Sequence, residues 1–270
     1  MAGMGYETYP STSIEFLNIP NIHAMRSSLN KLRSACDGGS LSGTKLDECG
    51  WLGHIRTLLL GSRRVCSLVE GAGVSVLVHC SDGWDRTSQL CSLAKLMLDP
   101  YYRTLEGFLV LLDMDWLSTG HKFGQRYGHM SRKYDDQERS PIFLQFLDAT
   151  WQVLQQFPSA LEFNEYLLLV LADQLFACEY GTFLYNNERE RFEAGLHIST
   201  ASLWDAILHR DNIDKFRNSF YDNTSSGVIY PKCEYENIKL WNGYYLRWCE
   251  VSATFTMQFA FSFTIHMTHN

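Results

Sequence analysis

The sequence predicts an α/β fold, a central mixed sheet flanked by helices, and three observations carry that expectation. Val74 to Val78 (V-S-V-L-V) is a short, almost wholly apolar, β-branched run, the pattern of a strand buried on both faces. It ends in His79-Cys80 and a short polar loop, and a helical pattern from Ser88 to Leu98 follows at once. Around this strand–loop–helix unit, Trp51 to Glu70 and Pro141 to Phe157 repeat apolar residues at helical spacing.

Taken in order, Met1 to Pro10 is Gly- and Tyr-rich without periodicity, and Ser13 to Ile19 reads as a strand stopped by Pro20. His23 to Leu32 has helical spacing, with Met25, Leu29 and Leu32 on one face. Ala35 to Gly50 reads as a Gly/Ser loop, and Trp51 to Glu70 as an amphipathic helix that Gly71 to Gly73 turns into the central strand. Tyr101 to Leu112 keeps an alternating apolar character. Ser118 to His129 gathers His121, Lys122, Arg126 and His129, and Ser131 to Ser140 is a charged loop. Pro141 starts a helix at its first position. Leu161 to Tyr180 is a further helix, ended by Gly181. Leu203 to Leu208 and Asn212 to Phe220 are shorter helices, Val228 to Tyr230 an edge segment, and Asn237 to Trp248 a last helix. From Thr254 to Met267 apolar and small or polar residues alternate without a charge, a β pattern that lacks charged gatekeepers.

At 270 residues the chain can bury a real core, as one large domain or two small ones. A formal charge of −7 argues against bulk nucleic-acid binding; it leaves room for an anionic substrate, because a local basic pocket decides that. The eight cysteines are scattered without metal-ligand pairing. With no signal peptide they read as reduced cytosolic thiols. No run of about 18 apolar residues is present, the length a membrane span requires.

The chemistry concentrates between Cys80 and Thr87, C-S-D-G-W-D-R-T. A helix N-terminus presents unpaired N–H groups and a partial positive charge, so a loop folded over it can ring a phosphate with amide donors. A cysteine in that field has its thiolate stabilised. Arg86 can fork two donors onto phosphoryl oxygens, and Gly83 permits the tight turn. Cys80 would attack phosphorus to form a phosphocysteine that water then hydrolyses. The leaving alkoxide needs a proton, and Asp82 and Asp85 are the carboxyl groups inside the loop. Cys80 alone among the cysteines has arginine six positions on. The plainer alternative is a structural cysteine at a strand end with Arg86 in a surface ion pair.

His79 to Thr87, H-C-S-D-G-W-D-R-T, resembles the active-site signature of the myotubularin phosphoinositide 3-phosphatases. Similar blocks follow in one order: N-I-H-A-M-R from Asn21, G-W-L-G-H-I from Gly50, D-P-Y-Y-R-T-L-E-G-F from Asp99, W-L-S-T-G-H-K-F from Trp116, L-E-F-N-E from Leu161 and L-W-N-G-Y-Y-L-R-W from Leu240. The resemblance implies a cysteine-phosphatase fold over residues 1–248, lacking the first part of that domain, and an atypical tail over 249–270. It implies hydrolysis of the 3-phosphate of phosphatidylinositol 3-phosphate, and of the 3,5-bisphosphate, with Cys80 as nucleophile and Arg86 as phosphoryl clamp.

Asp85, beside Arg86, is the general acid the resemblance favours, with Asp82 the alternative. Backbone amides of Ser81, Asp82, Gly83, Trp84, Asp85 and Arg86 would bind the phosphoryl oxygens. Lys122 and Arg126 fall where the family binds its substrate, although several members carry arginine in place of Lys122, which keeps the charge without the fork. Asn21 and Ile22 fall in the segment that approaches the phosphate; Asn21 reads equally well as a helix cap.

No metal or organic cofactor is implied, since Arg86 and amides activate phosphorus. The implied partners are a phosphoinositide at a membrane surface and homo- or hetero-oligomers with other myotubularins. The implied location is cytoplasmic and peripheral, on endosomal or other phosphoinositide-bearing membranes. Two rivals share parts of this pattern: a protein phosphatase of the dual-specificity type, and a non-catalytic partner of active members. The retained Cys80 and Arg86 argue against the second.

Overall fold

A computed structural model of the chain describes residues 11–37, 42–129, 136–224 and 227–247, and these residues fold as a helical assembly. The order is α1 (Ile22–Asp37), α2 (Gly43–Cys49), α3 (Trp51–Cys66), α4 (Arg86–Leu98), α5 (Leu105–Leu112), α6 (Phe123–Tyr127), α7 (Ile142–Gln156) and α8 (Glu165–Ala177). Five short helices follow: α9 (Glu188–Glu193), α10 (Leu196–Ser199), α11 (Leu203–Leu208), α12 (Ile213–Phe216) and α13 (Asn242–Tyr245). No helix among the described residues is long and apolar enough to cross a membrane.

The centre is α7. Every residue from Ile142 to Leu154 is buried, so the helix is enclosed rather than amphipathic, with α3, α4 and α8 packed around it. The aromatic core beside it joins Trp116, Phe123, Phe143 and Phe146, with Trp116 and Phe143 edge to face at 4.7 Å between centroids. The α3–α4 contact depends on Gly61, where an added Cβ would lie 3.0 Å from a Leu90 methyl carbon. That close approach fixes the helix whose first residue is Arg86. One buried carboxylate ties α3, α7 and α13 together: Asp148 accepts from Trp51 Nε1 at 2.8 Å and from Tyr245 Oη at 3.0 Å.

The expected central mixed sheet is not found: among the described residues there is no strand, only an isolated bridge between Phe163 and Arg217. Residues 73–80 run without regular structure, and Leu77 is 88% and Val74 47% exposed. An apolar run becomes a strand only when a neighbouring strand completes its hydrogen-bond ladder, and among the described residues none lies beside it. Ser13 to Ile19 fails as a strand for a local reason as well, because Asn18 takes a left-handed φ of 52° and bends the run.

Smaller corrections follow. The Ala35–Gly50 loop contains α2, capped by Ser42 Oγ on the Lys45 N–H. The helix expected to reach Gly181 stops at Ala177, where Cys178 takes the left-handed cap at φ 52°. Val228 to Tyr230 is not a strand, α12 is shorter than expected, and α9 and α10 were not anticipated. Met1 to Pro10, the first half of the Ser131–Ser140 loop, Trp248 and the alternating tail lie outside the described residues.

Candidate active site

Cys80 ends the 73–80 segment, residues 81–85 form a bend, and Arg86 opens α4. The bend turns at Gly83, whose φ of 94° suits glycine and which has open space where a Cβ would stand. The turn brings the Gly83 N–H to donate to Cys80 Sγ at 3.2 Å. Burial by itself raises the Cys80 thiol, but the Thr87 hydroxyl and the backbone N–H groups of Gly83, Asp82 and Thr87 outweigh it and lower the pKa. Burial pushes the thiols of Cys49, Cys91, Cys178 and Cys233 up, and that of Cys66 up to about 12. Of these six thiols, Cys80 alone has its pKa lowered.

Arg86 is held on two sides, donating from Nη1 to the Ile19 carbonyl at 3.2 Å and from Nη2 to Ser81 Oγ at 3.2 Å. The segment before α1 therefore lies against the loop. Asn21 caps α1 through Oδ1 on the Ala24 N–H at 3.2 Å, the alternative its sequence position left open. The Ile22 carbonyl accepts from Ser140 Oγ at 2.8 Å.

The second half of the loop rests on the turn leading into α6 and on α6 itself. His121 is fully buried, with Nδ1 2.7 Å from the Trp84 carbonyl oxygen and 3.3 Å from Asp85 Oδ1. Lys122 Nζ stands 4.2 Å from the centroid of the Trp84 ring, a cation–π contact. Arg126 makes a two-point ion pair with Asp85 and also donates to the Glu138 carbonyl and carboxylate. Burial alone would raise the Asp85 carboxyl; hydrogen bonds and charge from His121 and Arg126 outweigh it and hold the group well below the usual carboxylate range. Asp82 is exposed and accepts from Ser81 Oγ at 3.0 Å.

Lys122 and Arg126 thus meet the loop, Lys122 half-buried over the indole and Arg126, at 4% exposure, turned toward Asp85, whereas Asn21 and Ile22 follow Ile19, whose carbonyl holds Arg86. His121 stood in the basic cluster but carried no role there. Its partner, a backbone carbonyl 37 residues away, leaves no mark on sequence spacing.

The model of the myotubularin-like phosphatase domain matches residues 1–192. The chain belongs to that family. It is 46% identical over 258 residues to the phosphatidylinositol-3,5-bisphosphate 3-phosphatase MTMR2 of Mus musculus, covering 91% of this chain and 39% of that protein. It is 47% identical over 254 residues to the myotubularin of Rattus norvegicus, covering 91% and 42%. The myotubularin of Xenopus tropicalis is 46% identical over the same shares. The chain therefore spans about two fifths of the length of these relatives.

Proposed function

We propose that this chain acts as a cysteine-dependent phosphoinositide phosphatase, removing the 3-phosphate of phosphatidylinositol 3-phosphate and of the 3,5-bisphosphate. The observation that carries the reading is the Cys80 thiol, lowered by its own loop and set beside Arg86 at a helix N-terminus. The MTMR2 relatives, named as 3-phosphatases of a bisphosphorylated inositol lipid, supply the substrate class.

In the first step the Cys80 thiolate attacks phosphorus, the sulfur–phosphorus bond forms and the bond to the inositol oxygen breaks. Charge growing on the phosphoryl oxygens is met by the loop amides and by Arg86, which exchanges Ile19 and Ser81 for phosphate. The inositol alkoxide takes a proton from a loop carboxyl. Asp85 is committed to Arg126 and His121, whereas Asp82 faces solvent. We therefore give the proton transfer to Asp82 and the alignment of the loop to Asp85. In the second step water attacks phosphorus, Asp82 takes its proton, and phosphate and the free thiolate leave. Lys122, with its ammonium over the Trp84 face, is the cation offered to the headgroup or a second phosphate; Asn21 and Ile22 are proposed for the substrate because they follow Ile19, whose carbonyl meets Arg86.

This substrate class implies peripheral contact with the cytoplasmic face of endosomal or similar membranes, and assembly with other family members. The test is phosphate release from a short-chain phosphatidylinositol 3-phosphate and from phosphotyrosine and phosphoserine peptides. Higher turnover on the lipid, abolished by Cys80→Ser, supports the reading. Higher turnover on peptides favours a protein phosphatase. A folded chain inactive on all three favours a non-catalytic partner.

A further inference from the structure

His121 occupies a position that the chemistry above does not use, and its surroundings give it a specific task. The imidazole is fully buried and wedged between Trp116 and Phe123, edge to face with both at 4.9 and 4.7 Å between centroids. Nε2 meets no hydrogen-bond partner among the described residues, whereas Nδ1 lies 2.7 Å from the Trp84 carbonyl oxygen. That pairing puts a hydrogen on Nδ1. The other donor to the same carbonyl is the Ser88 hydroxyl, at 3.4 Å. The ring itself is fixed from behind, because the His121 N–H donates to the Trp116 carbonyl at 2.9 Å and Trp116 Nε1 is anchored on Ser92 Oγ at 2.9 Å.

A trans peptide unit is planar, and its C=O and N–H point in opposite directions. A carbonyl of Trp84 held down on the buried His121 ring therefore turns the Asp85 N–H of the same unit away from that ring. Oriented amides of this kind make a concave anion site. The same Nδ1 also faces Asp85 Oδ1 at 3.3 Å, so one ring nitrogen steadies both the backbone and the side chain at the loop's end.

We propose that His121 is a positioning residue: by holding the Trp84 carbonyl through Nδ1, it keeps the signature loop in the orientation that binds a tetrahedral oxyanion. The proposal deepens the phosphatase reading and rests on it for the natural ligand, but it concerns the loop alone.

The test is protection of Cys80 by tungstate against iodoacetamide, read on the Cys80 peptide of the full chain and compared in His121→Asn and His121→Leu. These two side chains share a shape and lose the same ring packing. Only asparagine keeps a donor two bonds from Cβ, where Nδ1 stands. Tungstate protection close to wild type in His121→Asn, with roughly tenfold more tungstate needed in His121→Leu, is the expected result, the size of one hydrogen bond to an anion. Equal behaviour of the two variants, whether both protected like wild type or both weakened alike, overturns the proposal. So does loss of a cooperative melt in both, which would assign His121 to the core alone. Lipid turnover is measured separately: a chain protected by tungstate yet inactive on phosphoinositide refutes the substrate reading and leaves His121 its role.

Discussion

Arg126 and Asp85 form a two-point ion pair, Nε to Oδ1 at 3.0 Å and Nη2 to Oδ2 at 2.8 Å, with side chains 3% and 9% exposed. The pair joins α6 to the residue immediately before Arg86, so the cation and the carboxylate serve each other before they serve a ligand. Removing one partner of a buried pair strands the other. Arg126→Met and Asp85→Asn are each expected to lower stability by about 3 kcal/mol in urea unfolding. The double variant should lose less than the sum of the two, because the stranded charge is gone. A strictly additive double variant would show that the pair does not hold the loop.

Asp85 and Asp148, both buried, give opposite pH dependences. Asp85 has a depressed folded pKa, so its contribution is present above the unfolded value of about 3.9 and is lost as pH falls below it. Burial pushes Asp148 up to about 6 against the hydrogen bonds of Gln152, Trp51 and Tyr245. The folded state then holds a proton that the unfolded state has released, and stability rises as pH falls from above 6 toward 4. The stability difference between wild type and Asp148→Asn should move in favour of wild type by about 3 kcal/mol over that interval. A pH-independent difference would contradict the assignment.

Helices α1, α3 and α7 were legible because each buries a stripe or a whole surface of apolar residues at a regular spacing, and the position of the loop because its functional groups all fall between Cys80 and Thr87. The sheet was misjudged because the Val74–Val78 run records apolar character and β-branching, whereas a strand also needs a partner that no local pattern supplies. Helices α2, α9 and α10, at 7, 6 and 4 residues, are too short to show a period. The Asp85 partner of Arg126 was hidden for a similar reason: a cation four residues from Lys122 looks like a ligand site, and Asp85 stands 41 residues away.

Gly83 tests the turn without disturbing packing. A Cβ there meets nothing within 4 Å, yet φ is 94°, a conformation that costs other residues about 1–2 kcal/mol. Because the loop is exposed, Gly83→Ala should relax the backbone rather than unfold the chain, and pull the Gly83 N–H off Cys80 Sγ. Slower alkylation of Cys80 at neutral pH with a nearly unchanged melting temperature is the expected result. Wild-type alkylation would remove Gly83 from the set of groups that activate the thiol.

The roles of the two loop carboxyls separate on leaving groups. Asp82→Asn should slow release from a phosphoinositide, whose alkoxide needs a proton, far more than release from para-nitrophenyl phosphate, whose phenolate leaves unaided. Asp85→Asn should slow both substrates alike, because it loosens the loop. The reverse pattern would return the proton to Asp85.

The central claim is that Cys80 carries the phosphoryl group, and rapid-quench mass spectrometry of the chain mixed with short-chain phosphatidylinositol 3-phosphate tests it most directly. The account predicts a phosphoryl group on the Cys80 peptide during turnover, longer-lived in Asp82→Asn and absent in Cys80→Ser. Turnover with no phosphoryl group on Cys80, or turnover that persists in Cys80→Ser, would contradict it.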